Sequence, residues 1–144
     1  MNVCVLRFVA AVALVACLCF GSAEAAAPAG RYSSPSIGVV HDSKTGLDWQ
    51  QTTTSMRYTY ADALNYCPTG WRLPTIRELQ SLVDDAAAAP PAIDTGWFPS
   101  TQAEAYWSST KYAPDTSLAW HVYFYDGYTG FNTLQTANYV RCVR

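Results

Sequence analysis

Apolar and polar residues alternate most regularly between Leu118 and Tyr125. Trp120, Val122 and Phe124 fall on one side of an extended chain, and His121, Tyr123 and Tyr125 on the other. This predicts a strand with the first set buried. Asp126-Gly127, directly after it, is a hairpin turn signal, and Phe131 to Leu134 reads as the returning strand. The alternation recurs from Asn138 to Arg144, with Val140 and Cys142 on one side and Tyr139, Arg141 and Val143 on the other. Near the other end, Ile37 to His41 is a short apolar strand. Asp42 to Gly46 supplies turn chemistry, and Leu47 to Gln50 returns as a second strand. Tyr106 to Thr110 is strand-like. The turn-rich Lys111 to Ser117 follows it, and an irregular loop from Ile93 to Glu104 precedes it.

Helical spacing occurs twice. Thr59 to Cys67 predicts a short helix capped by Thr59, with Ala63, Leu64 and Cys67 at i, i+1 and i+4, a spacing that aims Cys67 inward. The second helix follows Trp71-Arg72-Leu73-Pro74-Thr75. Pro74 holds Leu73 extended, and Thr75 with Glu78 forms a T-x-x-E capping box. Ile76, Leu79, Leu82 and Val83 give one apolar face, which predicts a helix from Ile76 to about Asp84. Two prolines, Pro90 and Pro91, bar any continuation.

The first residues belong to a different class of segment. Arg7 lies in a short charged start, Phe8 to Phe20 is apolar, and Ala23-Glu24-Ala25 offers a cleavage site. This reads as a secretory signal peptide over 1–25, too short for a membrane span. The alternative is a lipobox at Leu14-Val15-Ala16-Cys17, which would lipidate and anchor the chain at Cys17. Residues 26–36 read as a disordered leader and 37–144 as one domain. Of five cysteines, Cys4, Cys17 and Cys19 lie in the signal, leaving Cys67 and Cys142. An exported chain favours pairing them. A reactive or metal-binding thiol pair would need further ligands nearby in sequence, and none is evident. Closing a loop of about 75 residues stabilises by roughly 4–5 kcal/mol in the chain-entropy model. The net charge is −2, which gives no electrostatic reason to expect nucleic acid, an anionic membrane or a strongly sulfated glycan.

The stretch W-R-L-P-T-x-x-E-L resembles the signature of the Lcl C-terminal domain family. Thr45-Gly46-Leu47-Asp48-Trp49, Ala63 to Cys67, Phe98-Pro99, Tyr106 to Thr110, Ala119-Trp120 and Tyr139-Val140-Arg141-Cys142-Val143-Arg144 match in order. The resemblance runs from about Val39 to Arg144. It implies an α+β fold like that of C-type lectins and formylglycine-generating enzymes, with two short helices on a small, twisted, mainly antiparallel sheet and long loops. It also implies a secreted or surface module, some members of the family being thought to bind polysaccharide. The enzymes of that fold depend on a pair of copper-binding active-site cysteines. Here the two cysteines lie before the helix and in the last strand, so the fold carries over and the activity does not.

No H-E-x-x-H, C-x-x-C or G-x-S-x-G motif occurs. The E-P-N, Q-P-D and W-N-D strings of calcium-dependent sugar-binding lectins are also missing. His41 and His121 are far apart in sequence. Glu104, Asp115 and Asp126 are the carboxylates that could gather around a hard cation. The expectation is therefore no cofactor, no metal and no catalytic residue. The chain carries 5 Trp and 10 Tyr. Trp49, Trp71, Trp107 and Trp120 are read as core. Tyr112, Tyr125 and Tyr128, on turns or an outward strand face, are the candidate ligand-binding residues, on one loop-rich side formed by 111–117 and 126–130. Arg141 and Arg144 are read as partners of carboxylates. The expected function is an exported, non-catalytic module that recognises a polysaccharide or a surface protein. The alternatives are a structural or oligomerising module, or an enzyme without a recognisable motif. Mass spectrometry of exported protein is expected to give the mass of residues 26–144 without lipid. A diacylglycerol adduct on Cys17 would establish the lipidated form instead.

Overall fold

The computed structural model describes residues 27–53 and 55–144. The cleavage site, the Cys17 alternative and Cys4 and Cys19 lie outside the described residues. The elements, in order, are β1 (Tyr32–Ser36), β2 (Val39–Asp42), β3 (Leu47–Gln50), α1 (Tyr60–Tyr66), α2 (Ile76–Gln80), β4 (Ala105–Lys111), β5 (Leu118–Tyr123) and β6 (Tyr128–Thr133). The fold is α+β: two short helices with two three-stranded antiparallel sheets, β1-β2-β3 and β4-β5-β6, rather than one sheet.

The first sheet begins inside the expected leader. Tyr32 is buried, and β1 pairs with β2. Arg31 reaches the fully buried Asp42 with two hydrogen bonds, at 3.0 and 2.8 Å, and the carbonyl of Ser81 at 2.6 Å. Burial pushes the Asp42 carboxyl up, but the hydrogen bonds from Arg31 and from the Lys44 N–H outweigh it and hold it below the usual carboxylate range. The Ala27 N–H also donates to Asp94 at 2.7 Å. Composition alone made 26–36 look disordered; one arginine and one tyrosine, each with a distant partner, fix the described part of it. Ile37 stands fully exposed at the turn between β1 and β2, where Gly38 takes a positive φ of 75°, so the apolar strand starts at Val39.

The capping box forms as expected. The Thr75 hydroxyl accepts from the Glu78 N–H at 3.3 Å, and the Glu78 carboxylate accepts from the Thr75 N–H at 2.7 Å. That carboxylate also takes both guanidinium nitrogens of Arg72, at 2.8 and 2.7 Å. The helix behind it is shorter than its apolar spacing suggests. After Gln80 the chain tightens: Leu82 and Val83 donate to the carbonyls three residues back, and the Ser81 hydroxyl donates to the Glu78 carbonyl at 2.7 Å. Asp84 then bonds to Ala92 instead of continuing. The tight turns still deliver Leu82 to the core, 1% exposed. In α1, capped by Thr59, Tyr60 and Ala63 face inward, while Leu64 points out and is 48% exposed.

The second sheet is buried on both sides, which changes the reading of β5. Tyr106, Val122 and Phe124 pack in one cluster with Trp49, Leu79, Leu82 and Phe98. Trp107 and Ala119 pack in the other with Tyr60, Ala63 and Leu73. The C-terminal segment divides the same way, Tyr139 and Val143 joining the first cluster and Val140 and Cys142 the second. His121, expected on an exposed face, is 8% exposed for this reason. Burial pulls its imidazole pKa down. Its ring lies over Gly130, where a Cβ would come within 3.1 Å of it and within 2.8 Å of Tyr128, so a glycine stands there for space.

Cys67 and Cys142 form a disulfide with Cα atoms 5.7 Å apart. Replacing both by alanine is expected to cost roughly 2–5 kcal/mol, read as a lower urea midpoint with an unchanged native spectrum. Two free thiols in oxidised native protein would contradict the pairing.

Glu78 supplies a pH-dependent term. The hydrogen bond from Arg72 is the main reason its carboxyl falls from 4.5 to about 2. The stabilisation is therefore complete above the unfolded value of about 4.5 and is lost as pH falls toward 2. Glu78→Gln is expected to destabilise by roughly 1–2 kcal/mol at pH 7. Its gap to the wild type, followed by urea unfolding, should close as pH drops toward about 2.

Candidate ligand-binding surface

The three tyrosines expected to form one site do not come together. Tyr112 donates its N–H to the carbonyl of Leu118, at the first residue of β5. Tyr128 pairs with Tyr123, at the last. Five residues of strand at about 3.3 Å each put them roughly 17 Å apart. The hairpin explains the separation: the 111–117 loop enters β5 at one end and the turn through Asp126 leaves it at the other. Tyr125 (54% exposed) and Tyr128 (63% exposed) are open to solvent, as expected. Tyr125 stacks on Tyr123, with centroids 5.9 Å apart, and edges a depression shared with Asp84, Asp85 and Asp126.

At the other end, Tyr112 belongs to an aromatic group. It stacks on Phe131 at 4.4 Å with planes 20° apart, and both rings meet Trp120 edge-on, at 5.5 and 5.7 Å. The β5–β6 register places Trp120 opposite Phe131 on the face that carries Val122 and Thr129. Phe131 is 45% exposed, and Tyr112 and Trp120 are half-buried. Trp120 was read as core because it shares a side with Val122 and Phe124, both fully buried. It lies further along the strand, at the rim of a depression beside α2 that is open to solvent. Counting back from a two-residue Asp126-Gly127 turn would place Trp120 opposite Thr133; the four-residue loop 124–127, which pairs Tyr123 with Tyr128, sets the Trp120–Phe131 pair instead, and the contact with Tyr112 depends on the 111–117 loop.

Trp120 also forms one wall of a shallow depression of about 320 Å³, with Ile76, Arg77, Gln80 and Thr129 around it. This is at the low end of the range of small-ligand sites, about 300–1,000 Å³. The capping box fixes the helix that presents Ile76, Arg77 and Gln80, and the Ile76 N–H is taken by the Thr110 hydroxyl at 3.1 Å. The Gln80 amide donates to the Thr129 hydroxyl at 2.7 Å. That bond orients the Gln80 carbonyl as an acceptor and leaves the threonine proton to donate outward. The surface therefore joins an aromatic platform to an oriented donor and acceptor.

Other candidate groups are structurally engaged. His41 bonds Asp48 at 2.8 Å across β2 and β3, and Asp48 also takes Arg144 at 3.2 Å. Among the described residues, no hydroxyl or thiol hydrogen-bonds either histidine. Glu104 pairs with Arg57, Asp115 holds Ser117, and Asp126 holds the Tyr128 N–H. Among the described residues, no three His, Cys, Asp or Glu side chains are grouped to hold a metal ion. Arg144 pairs with a carboxylate as expected, but Arg141 does not. Its guanidinium is 1% exposed and donates to the carbonyls of Gln50 and Gln51 and to the Thr101 hydroxyl. Burial lowers its pKa to about 10. This leaves it charged at neutral pH.

The Lcl C-terminal domain model matches residues 38–144, and the chain belongs to that family. No curated protein matches it. The disulfide suits an oxidising compartment. Among the described residues no helix is long and apolar enough to cross a membrane.

Proposed function

We propose that the chain is an exported, non-catalytic recognition module that binds a polysaccharide through the Tyr112–Trp120–Phe131 surface. The carrying observation is that aromatic group, partly open to solvent beside the Gln80–Thr129 pair. A sugar ring has an apolar face bearing C–H groups and a rim of hydroxyls. An exposed aromatic ring takes the first, and an oriented carbonyl and hydroxyl take the second. Mutual contact of the three rings, worth about 0.5–1.5 kcal/mol per pair, holds the platform in place before any ligand arrives, so little ordering cost is left to binding. Catalysis plays no part in this reading: what is read is shape and hydroxyl pattern. The partner is an extended glycan, met on an open face.

A glycan array followed by calorimetry on residues 26–144 tests the proposal. Trp120→Ala and Phe131→Ala are expected to weaken binding at least about tenfold, roughly 1.4 kcal/mol. Circular dichroism at the assay temperature should show both variants folded. Tyr125→Ala and Tyr128→Ala should bind as wild type does. Unchanged affinity in both platform variants would overturn this surface as the site, and concentration-dependent self-association that buries Phe131 would favour the interaction-module reading.

A further inference from the structure

We infer that the sugar taken by this surface carries a carboxylate, and that Arg77 is the residue that reads it; the inference rests on the polysaccharide reading above. It starts from a comparison of the arginines among the described residues. Arg31, Arg57, Arg72 and Arg144 each pair with a carboxylate, on Asp42, Glu104, Glu78 and Asp48 respectively. Arg141 is enclosed and spends its donors on carbonyls and a hydroxyl. Arg77 is the remaining one, exposed and without a carboxylate partner among the described residues. It is also the one that lines the depression beside Trp120.

The surroundings leave that charge uncompensated. The depression is walled by Ile76, Gln80, Trp120 and Thr129, none of them acidic. The nearest acid in sequence, Glu78, is occupied by Arg72 and by the Thr75 N–H. Arg77 and Gln80 are three residues apart on α2 and lie on neighbouring parts of its surface. A pyranose resting on Trp120, with hydroxyls at Gln80 and Thr129, would present a ring substituent toward Arg77. The planar guanidinium matches a planar carboxylate through two parallel hydrogen bonds. A single such cation, on a chain of net charge −2, suits a glycan with at most one carboxylate to a sugar and not a densely sulfated one, which the overall charge would repel more strongly.

Calorimetry on residues 26–144 with three probes tests this: an oligogalacturonate, its methyl ester (same rings, no charge) and heparin. The wild type should bind the oligogalacturonate about fivefold more tightly than the ester, the scale of one exposed ion pair. Raising the salt concentration should shrink that preference. Arg77→Gln should erase the preference, weakening the oligogalacturonate about fivefold more than the ester, and Arg77→Lys should restore part of it. Trp120→Ala should weaken both galacturonate probes together. Equal wild-type affinity for acid and ester, with both sensitive to Trp120, would overturn the role of Arg77 and leave the platform reading intact. Tighter binding of heparin than of the oligogalacturonate would overturn the single-carboxylate inference. Binding to none of the three would overturn it too; a glycan-array hit elsewhere that depends on Trp120 would still uphold the platform, and an empty array would remove both.

Discussion

The rest of the structure depends on the hydrogen bonding of the last segment, residues 138–144. Among the described residues it is what joins the first sheet by backbone hydrogen bonds to the Trp71–Thr75 turn and to the second sheet. Asn138 exchanges bonds with Tyr58, Tyr139 takes and gives bonds at Trp107 and Ala105, and Cys142 accepts from Gln50. Val143 exchanges bonds with Arg72, and Arg144 with Asp48. One extended stretch thus ties the first sheet, the Trp71–Thr75 turn and the second sheet together. Its side chains feed both apolar clusters, the disulfide anchors it to the end of α1, and the buried Arg141 clamps the 50–51 carbonyls to it. A buried guanidinium without a carboxylate is costly unless its donors are taken, and here two carbonyls and a hydroxyl take most of them.

This arrangement has a functional consequence. The Leu73–Pro74 stretch is held on one side by the segment at Arg72 and on the other by β4, where the Ser109 N–H bonds the Pro74 carbonyl at 2.7 Å. The direction of α2 is thereby fixed relative to β5 and β6, and with it the distance between Arg77, Gln80 and the Trp120–Phe131 pair. A recognition surface assembled from a helix and a sheet needs such a frame, because neither element is long enough to hold its position alone.

What was legible in the sequence was local or was fixed by elimination. The capping box at Thr75 and Glu78, the hairpin around 42–46, the Asp126-Gly127 turn and the Cys67–Cys142 pair each rest on neighbouring residues or on a count of two. What was not legible needed a distant partner. Tyr32 and Arg31 look like leader until Asp42 and Ser81 are placed beside them. His121 looks exposed until the second sheet is seen to be covered on both faces. Arg141 looks like a surface cation until Gln50, Gln51 and Thr101 close around it. The placement of the candidate tyrosines was not legible for the same reason. Tyrosine exposure was readable at 125 and 128, but the ends of a hairpin are far apart, and the group that does assemble requires α2, β5, β6 and the 111–117 loop at once. Arg77 could not be singled out from sequence, since its distinction is that the other arginines are occupied.

Native-state hydrogen exchange tests the central role of the C-terminal segment most directly. The amides of Gln50, Tyr58, Arg72 and Trp107 all donate to carbonyls of residues 138–143. If that segment joins the two sheets into one cooperative unit, these four amides will open with the same free energy as the interior amides of β5, equal to that of global unfolding. If they exchange at much lower free energy while β5 and β6 stay protected, the segment is a peripheral strap and the account of the frame is wrong.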